Sequence, residues 1–165
     1  MKPFIGIKKI WYGDVITSAV TKTSLKTWFG TATEVENSHQ DTWSYTEDDP
    51  TYTDYINELN GDIYYRDVTQ KGAKTIAFTM GVFSFDDKVD LQGGEKVDTD
   101  AGWAASDTPG IVNKAIVGQT KTGNYIVFTN AAVIAKGNAV EKNIGLGVTA
   151  VAMENPSAGV KSDYM

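Results

Sequence analysis

Hydrophobic and polar positions alternate with a period of two in several segments of this chain, which predicts β-strands. The clearest example is the segment 73–83, where small and polar side chains separate the apolar ones. Its apolar face carries Ile76, Phe78, Met80 and Val82. Strict alternation of this kind is typical of an antiparallel strand that is buried on one face. We therefore expect this segment to lie in the core of an antiparallel sheet.

Runs of β-branched and aromatic residues predict further strands. They lie at 4–11, 21–29, 31–36, 42–46, 63–68, 111–117, 125–136 and 144–153. Turn signals at Lys121–Asn124 and Lys136–Asn138 predict hairpins between the last three, and Asn60-Gly61 predicts another turn. The predicted core combines the apolar positions of facing strands. It consists of Ile76, Phe78, Met80, Ile126, Phe128, Leu146 and Val148.

Helical signals are sparse. The segment 83–92 has Phe85, Val89 and Leu91 ahead of two glycines, and it is the best helix candidate. Segment 52–59 also has apolar residues at helical spacing, but it is short and rich in threonine, so we expect a helical turn or an irregular arm. The pattern as a whole predicts a mostly β fold, a sandwich or barrel of antiparallel strands with long loops and at most one short helix. A length of 165 residues fits one domain, 1–165.

Two long polar stretches that contain aromatic residues, 37–61 and 84–110, separate the predicted strands. Compact domains rarely have loops longer than about 12–15 residues unless the loops bind something or are disordered. Aromatic residues are scarce in disordered segments, so we expect these stretches to be ordered. We predict that they form subunit contacts. The predicted contact residues are Trp43, Tyr45, Tyr52, Tyr55, Leu59 and Trp103.

Composition narrows the functional classes. The chain has no cysteine, which excludes thiolate metal sites and thiol nucleophiles. Its 15 basic and 21 acidic residues argue against tight binding of nucleic acid, which requires neutralisation of phosphates by Lys and Arg, but they permit loose passage of nucleic acid past an acidic wall. The start of the chain has too short an apolar run for a signal peptide. No apolar run approaches about 18 residues, so we expect no membrane span.

Candidate chemistry is weak in each case. The single histidine, His39, could pair with Asp41 or Ser44, although a role in a turn is favoured. Acidic clusters at 47–49, 86–90 and 98–100 offer oxygen ligands for calcium, but EF-hand spacing is absent and solvated turns are favoured. A glycosidase pair formed by distant carboxylates stays open. We expect no enzyme activity, no catalytic residue, no metal and no cofactor.

Aromatic residues leave a second functional class open. Side chains such as Trp28, Trp43, Tyr45, Tyr64 and Tyr65 could form a platform on which sugars stack. They could equally be anchors of a subunit interface, where Tyr and Trp are enriched, or ordinary core residues. Core or interface is favoured. The alternative function is therefore a carbohydrate- or cell-surface-binding β-sandwich module.

A series of landmarks in chain order resembles the phage tail tube (major tail) protein family. They are Ala32-Thr33-Glu34, Trp43-Ser44-Tyr45-Thr46-Glu47-Asp48, Tyr55-Ile56-Asn57-Glu58-Leu59-Asn60-Gly61, the strand Thr75 to Val82, Leu91-Gln92-Gly93-Gly94, Gln119-Thr120-Lys121-Thr122-Gly123 and the strand Ile144 to Met153. The resemblance covers most of the chain, although tail-derived injection machines share the same architecture.

The resemblance implies a virion structural protein. It implies a β-sandwich with a small helix that self-assembles as hexameric rings, stacked into a tube whose inner barrel is a DNA conduit. The implied partners are further copies of the chain and other tail proteins such as the tape measure and the terminator, with DNA passing through without tight binding. The implied location is the virion tail, after synthesis in the cytoplasm of a bacterial host.

Overall fold

The computed structural model describes residues 1–108 and 110–165. Within them the chain is mostly β, with antiparallel sheets in a sandwich-like arrangement that is not closed into a barrel, which confirms the predicted fold class. The prediction of at most one helix is wrong, because the described residues form two. The helices are α1 (Lys22–Phe29) and α2 (Phe85–Gln92). The strands are β1 (Lys9–Gly13), β2 (Thr33–Glu34), β3 (Ser44–Glu47), β4 (Thr51–Ile56), β5 (Ile63–Gln70), β6 (Lys74–Met80), β7 (Glu95–Val97), β8 (Gly102–Ala104), β9 (Val112–Gln119), β10 (Tyr125–Val140), β11 (Asn143–Ala152) and β12 (Asp163–Tyr164).

The main sheet has eight strands, and all of its pairings are antiparallel. Seven follow the order β2-β1-β9-β10-β11-β6-β3. The eighth, β12, pairs with Val127 and Phe128 of β10, ahead of the point where β11 begins to pair at Ala131. Strand β4 pairs with β5 and β7 with β8 as separate two-stranded ribbons. The chain therefore consists of one large sheet and two small appendages.

Apolar side chains are buried on both faces of the main sheet. One cluster takes its residues from β1, β6, β9, β10 and β11, together with Leu91 of α2. The second contains Leu25 of α1 with Trp11, Val117 and Val127 of the sheet. All seven predicted core residues are at most 5 % exposed, which confirms that prediction. Val82, predicted for the same face as Phe78, lies beyond the end of β6 and is 71 % exposed.

The predicted strand at 21–29 is wrong, since this segment forms α1. Thr21 is the N-cap, and its side chain accepts a hydrogen bond from the backbone N–H of Ser24, whose hydroxyl accepts one from the N–H of Thr21. This reciprocal pair satisfies two free donors at the helix start. Leu25, Trp28 and Phe29 then lie on one face and pack on the sheet. The strand prediction overlooked that Leu25, Trp28 and Phe29 recur at helical spacing.

The last three long strands form consecutive hairpins, but one turn is displaced from its predicted position. The turn at Lys121–Asn124 is confirmed, with Gly123 at φ 91°. The turn predicted at Lys136–Asn138 is wrong, because β10 continues to Val140 and the chain reverses at Glu141 and Lys142, at φ 46° and 68°. The extra length carries the β10–β11 ribbon past the rest of the sheet.

The segment predicted as a helical turn or irregular arm is a strand, β4, which pairs with β5 along its whole length. This ribbon continues the β3–β6 pair of the main sheet after a short break. The last pair of the sheet is Glu47 with Lys74, and the backbone N–H of Asp48 donates to the carbonyl of Ala73 at 2.8 Å. At the break, a Cβ on Gly72 would lie 1.6 Å from the carbonyl oxygen of Asp48. Only glycine fits this crossing of the two backbones.

Candidate functional site

The arm, defined here as residues Thr51–Gln70, is the most unusual surface of the molecule. Among the described residues, β4 and β5 have extensive contacts only with each other. The paired strands extend about 20 Å from the main sheet, at about 3.3 Å per residue. Isolated two-stranded hairpins are at best marginally stable in water. Burial of this arm against another protein surface would therefore stabilise it.

Apolar side chains are concentrated on the arm. Of the eighteen large apolar side chains that are exposed in the described residues, eight belong to it, with exposures from 45 to 94 %. They are Tyr52, Tyr55, Ile56, Leu59, Ile63, Tyr64, Tyr65 and Val68. The register pairs Tyr52 with Val68 and Tyr55 with Tyr65, and because side chains alternate along a strand these two pairs lie on opposite faces of the ribbon. Single exposed apolar residues are normal on a soluble protein, but a concentration on both faces of one projecting ribbon indicates an interaction surface.

Side-chain contacts link the two strands of the arm. Arg66 donates two hydrogen bonds to the carboxylate of Asp54, at 2.6 and 2.9 Å, and these bonds hold the pKa of Asp54 below its ordinary value. The Arg66 guanidinium lies 4.0 Å from the ring centre of Tyr52. Across the ribbon, the rings of Tyr55 and Tyr65 are 5.8 Å apart. These contacts orient the tyrosines but leave about half of each ring in water.

The tip of the arm is a tight loop with built-in hydrogen bonds. The side chain of Asn57 accepts a bond from the N–H of Leu59, and that of Asn60 accepts one from the N–H of Asp62. Gly61 takes φ 78°, a conformation that favours glycine. Leu59 stands at the apex, 94 % exposed. The loop thus presents one aliphatic side chain on a fixed backbone.

The six predicted contact residues lie in three separate places. Tyr52, Tyr55 and Leu59 are exposed on the arm. Trp43 and Tyr45 are half-buried against the core, where their rings lie 6.4 Å from Phe78 and 6.3 Å from Phe128. The structure therefore places three of the predicted residues on one projecting ribbon and these two on the body of the domain.

Trp103, the sixth predicted residue, belongs to the second long stretch. That stretch contains the predicted helix, α2, followed by the β7–β8 ribbon. The Trp103 indole N–H donates to the carbonyl of Gly93 at 2.8 Å, and the ammonium group of Lys88 lies 4.1 Å from its ring centre. Trp103 thus fastens the small ribbon to the end of α2, far in sequence from the arm.

The residues considered for catalysis are dispersed. Nε2 of His39 lies 3.4 Å from a carboxylate oxygen of Glu141, rather than beside Asp41 or Ser44 as considered from sequence. The backbone N–H of His39 donates to the carbonyl of Thr79 at 2.8 Å, which joins its loop to β6. Within residues 1–108 and 110–165, no three His, Cys, Asp or Glu side chains converge in a way that could hold a metal ion.

Carboxylates line one side of the sheet near α2. Glu34, Glu36, Asp86, Asp87 and Asp90 surround a cavity of about 440 Å³. The buried hydroxyl of Tyr12 donates to Asp87 at 2.6 Å, and burial together with this hydrogen bond raises the pKa of Tyr12 far above its ordinary value. Asp87 also accepts bonds from the N–H and hydroxyl of Ser84 at the start of α2. This network anchors the helix to the sheet.

No protein-family model and no curated protein matches this chain. Across the described part of the chain, no helix is both long and apolar enough to span a membrane.

Strand β5 was left out of the predicted contact residues. Ile63, Tyr64, Tyr65 and Val68 were predicted to lie in a strand, and of these only Tyr64 and Tyr65 were considered as possible interface anchors or sugar-stacking residues. The signal that could have found them is the Asn60-Gly61 turn, which is typical of a hairpin when β-prone segments lie on both sides. The interpretation of the segment before the turn as helical concealed the pairing of β4 with β5 and the exposed ribbon that they form.

Proposed function

We propose that this chain is a structural subunit that assembles with copies of itself into stacked rings, as in the tail tube of a phage or prophage, and that it is not an enzyme. The observation that supports this most is the arm, an ordered ribbon with eight exposed apolar side chains. Tyrosine and large aliphatic side chains on a fixed backbone are the usual anchors of protein interfaces. Burial of the arm in neighbouring copies would stabilise both the ribbon and the assembly.

The main sheet supports the same conclusion. It is open, with β2 at one edge and β3 at the other. An open edge has unpaired backbone N–H and C=O groups that can form hydrogen bonds with a strand of another chain. A closed ring of subunits can pair these edges with one another. Strand β3 joins directly to the arm, so this edge and the arm would enter an assembly together.

The net charge of −6 supports a conduit for DNA that passes without binding. Acidic side chains on an inner wall would repel phosphates, and the repulsion would add up around a ring. Further tail components, such as a tape measure and a terminator, would complete the structure in the virion tail.

The carbohydrate-binding alternative has less support. The exposed tyrosines of the arm offer ring faces, but orienting a ligand in a binding site also requires polar groups placed beside them. On the arm, Arg66 and Asp54 are already hydrogen-bonded to each other. The aromatic surface is therefore better matched to apolar protein contacts than to sugars.

Electron microscopy of the purified protein tests the proposal. The parent chain should form rings or tubes at high concentration, or when a tail initiator complex is supplied. Tyr52→Ala combined with Tyr55→Ala should give folded, soluble protein that no longer assembles, because both rings are about half exposed and outside the core. The measurements are negative-stain images, with circular dichroism as the check on folding.

A matched control removes exposed apolar side chains outside the arm. Val82→Ala with Ile144→Ala alters two residues that are 71 and 74 % exposed. This variant should assemble like the parent. Assembly of the double tyrosine variant at the parent's concentration would show that the arm is not the interface, and unfolding of that variant would show that the rings belong to the core.

A further inference from the structure

A second surface of the molecule complements the tip of the arm. A groove with a volume of about 920 Å³ lies between α1, the N-terminal segment and the start of β10. Its apolar wall includes Leu25, Phe29 and Val127. A volume of this size is at the upper end of what small-molecule sites enclose, and it is large enough for several side chains.

The groove is rimmed by positive charge. Lys2, Lys22 and Lys26 line it, and no Asp or Glu does so among the described residues. None of these three lysines forms an ion pair within residues 1–108 and 110–165. Lys22 and Lys26 are one helical turn apart on α1, so their side chains lie on the same side of the helix. The groove thus combines an apolar wall with lysines that have no ion-pair partner among the described residues.

The tip of the arm has the opposite charge and the same apolar character. Glu58 and Asp62 flank the exposed Leu59, and the tip loop 57–62 contains no basic residue. Neither carboxylate forms an ion pair within the described residues, since the arm's single arginine is bonded to Asp54. Because the tip loop is held by its own hydrogen bonds, little order has to be gained when it binds.

Two further cavities of the described residues do not fit this tip. The cavity beside α2 is lined by five carboxylates, which would repel Glu58 and Asp62. The cavity at the base of the arm mixes acidic side chains such as Glu47 and Asp163 with lysines. Of these three cavities, only the groove on α1 is complementary in charge to the tip, because carboxylates in the other two would repel Glu58 and Asp62.

Resting on the proposed function, we infer that the arm tip of one copy docks in the α1 groove of a second copy. Leu59 enters the groove and packs against its apolar wall, and Glu58 and Asp62 face Lys22 and Lys26. Within one chain the arm has extensive contacts only with itself, so the tip comes from another molecule. Tip and groove are different surfaces, which makes the contact head-to-tail, and contacts of this type propagate into rings or filaments.

Cross-linking tests the contact directly. Because the chain has no cysteine, an introduced cysteine is the only thiol that can react in each copy. Ile63→Cys, directly after the tip loop and 52 % exposed, leaves Leu59 in place; it is introduced into one copy, and Phe4→Cys, on the groove wall, into a second copy that carries a size tag. A short bismaleimide should join them. The control pairs Ile63→Cys with Ile144→Cys, an exposed site on β11 outside the groove. The groove pair should give on the order of tenfold more product, because docking raises the local concentration of the two thiols.

Charge reversal shows whether the predicted pairing is the cause. Lys22→Glu with Lys26→Glu in the groove copy should abolish the cross-link, as should Glu58→Lys with Asp62→Lys in the tip copy. Combining the two reversed copies should restore it. Restoration distinguishes the predicted contact from misfolding, since a misfolded variant would not recover when its partner is changed.

The outcomes separate this inference from the proposed function. Rings or tubes without the tip-to-groove product would overturn the docking and leave the tube proposal standing. The product without rings or tubes would support the docking and count against the tube. A groove product no greater than the control, or one insensitive to charge reversal, would overturn the inference.

Discussion

Phe78 carries much of the packing of β6. It is 2 % exposed, and its ring is stacked against that of Trp43. Phe78→Ala should lower the free energy of unfolding by about 3–5 kcal/mol, because the loss of apolar burial is accompanied by a cavity. Denaturation in urea measures this difference. As a control, Ile144→Ala at a 74 % exposed position should change stability by no more than about 0.5 kcal/mol. A Phe78→Ala midpoint equal to that of the parent would contradict the facing of β6.

Tyr12 links stability to alkaline pH. Its hydroxyl is buried and bonded to Asp87, and the resulting pKa is far above the ordinary value of about 10. The folded state therefore holds this proton more tightly than the unfolded state does. The associated stability is fully present below pH 10 and decreases as the pH rises further, by up to about 1.4 kcal/mol for each pH unit.

Tyr12→Phe tests this linkage. At pH 7 the variant should be less stable by roughly 1.5–3 kcal/mol, since a hydrogen bond to a charged group is lost. Between pH 10 and pH 11 its stability should fall less steeply than that of the parent, because the titrating group is gone. Urea denaturation at a series of pH values measures both effects. Parallel curves for the two proteins would show that Tyr12 does not contribute to the alkaline decline.

At the scale of elements, the turn between β10 and β11 is under backbone strain. Glu141 and Lys142 both have positive φ, as in a two-residue hairpin turn that prefers Asn-Gly. Lys142→Gly should stabilise the protein by about 0.5–1 kcal/mol, because glycine adopts this conformation without a steric penalty. Thermal unfolding should show a higher Tm.

The matching control for that variant is Lys136→Gly, an exposed position inside β10. There the backbone is extended, so glycine brings only an entropy cost and should destabilise by about 0.5–1 kcal/mol. Opposite signs for the same change of residue would identify the turn geometry as the reason. A lower Tm for both variants would contradict the turn geometry.

At the scale of the whole molecule, charge sets the expected relation to DNA. With a net charge of −6, the chain should bind duplex DNA more weakly than about 10⁻⁴ M at ~150 mM salt, since non-specific affinity comes from cations that neutralise phosphates. Fluorescence anisotropy of a labelled duplex measures the affinity, with a basic DNA-binding protein of similar size as the positive control. Tight binding would mean that phosphates are clamped, and it would count against a conduit.

Local pattern was sufficient for most of the sheet. The period-two alternation of β6 and the paired hydrophobic strands near the C-terminus predicted a buried antiparallel core, and each of the seven core residues lies there. These strands can be predicted from the local sequence alone. One face of each strand must be removed from water, so apolar residues occupy alternate positions along it. The absence of cysteine and the acidic balance were likewise properties of the sequence alone.

Tertiary structure decided where local signals competed. Segment 21–29 has local signals for both structures, with alternating residues that favour a strand and a Thr21–Ser24 capping pair that favours a helix. Packing of Leu25 on the sheet selects the helix. The arm is a ribbon because β4 has β5 as a partner across the Asn60-Gly61 turn, a pairing that β4 alone does not encode. Exposure of the arm, and the meeting of α1 with the N-terminal segment at the lysine-rimmed groove, arise only when distant segments are assembled. Periodicity records which side chains avoid water, whereas the partner that covers each surface is set by the three-dimensional arrangement.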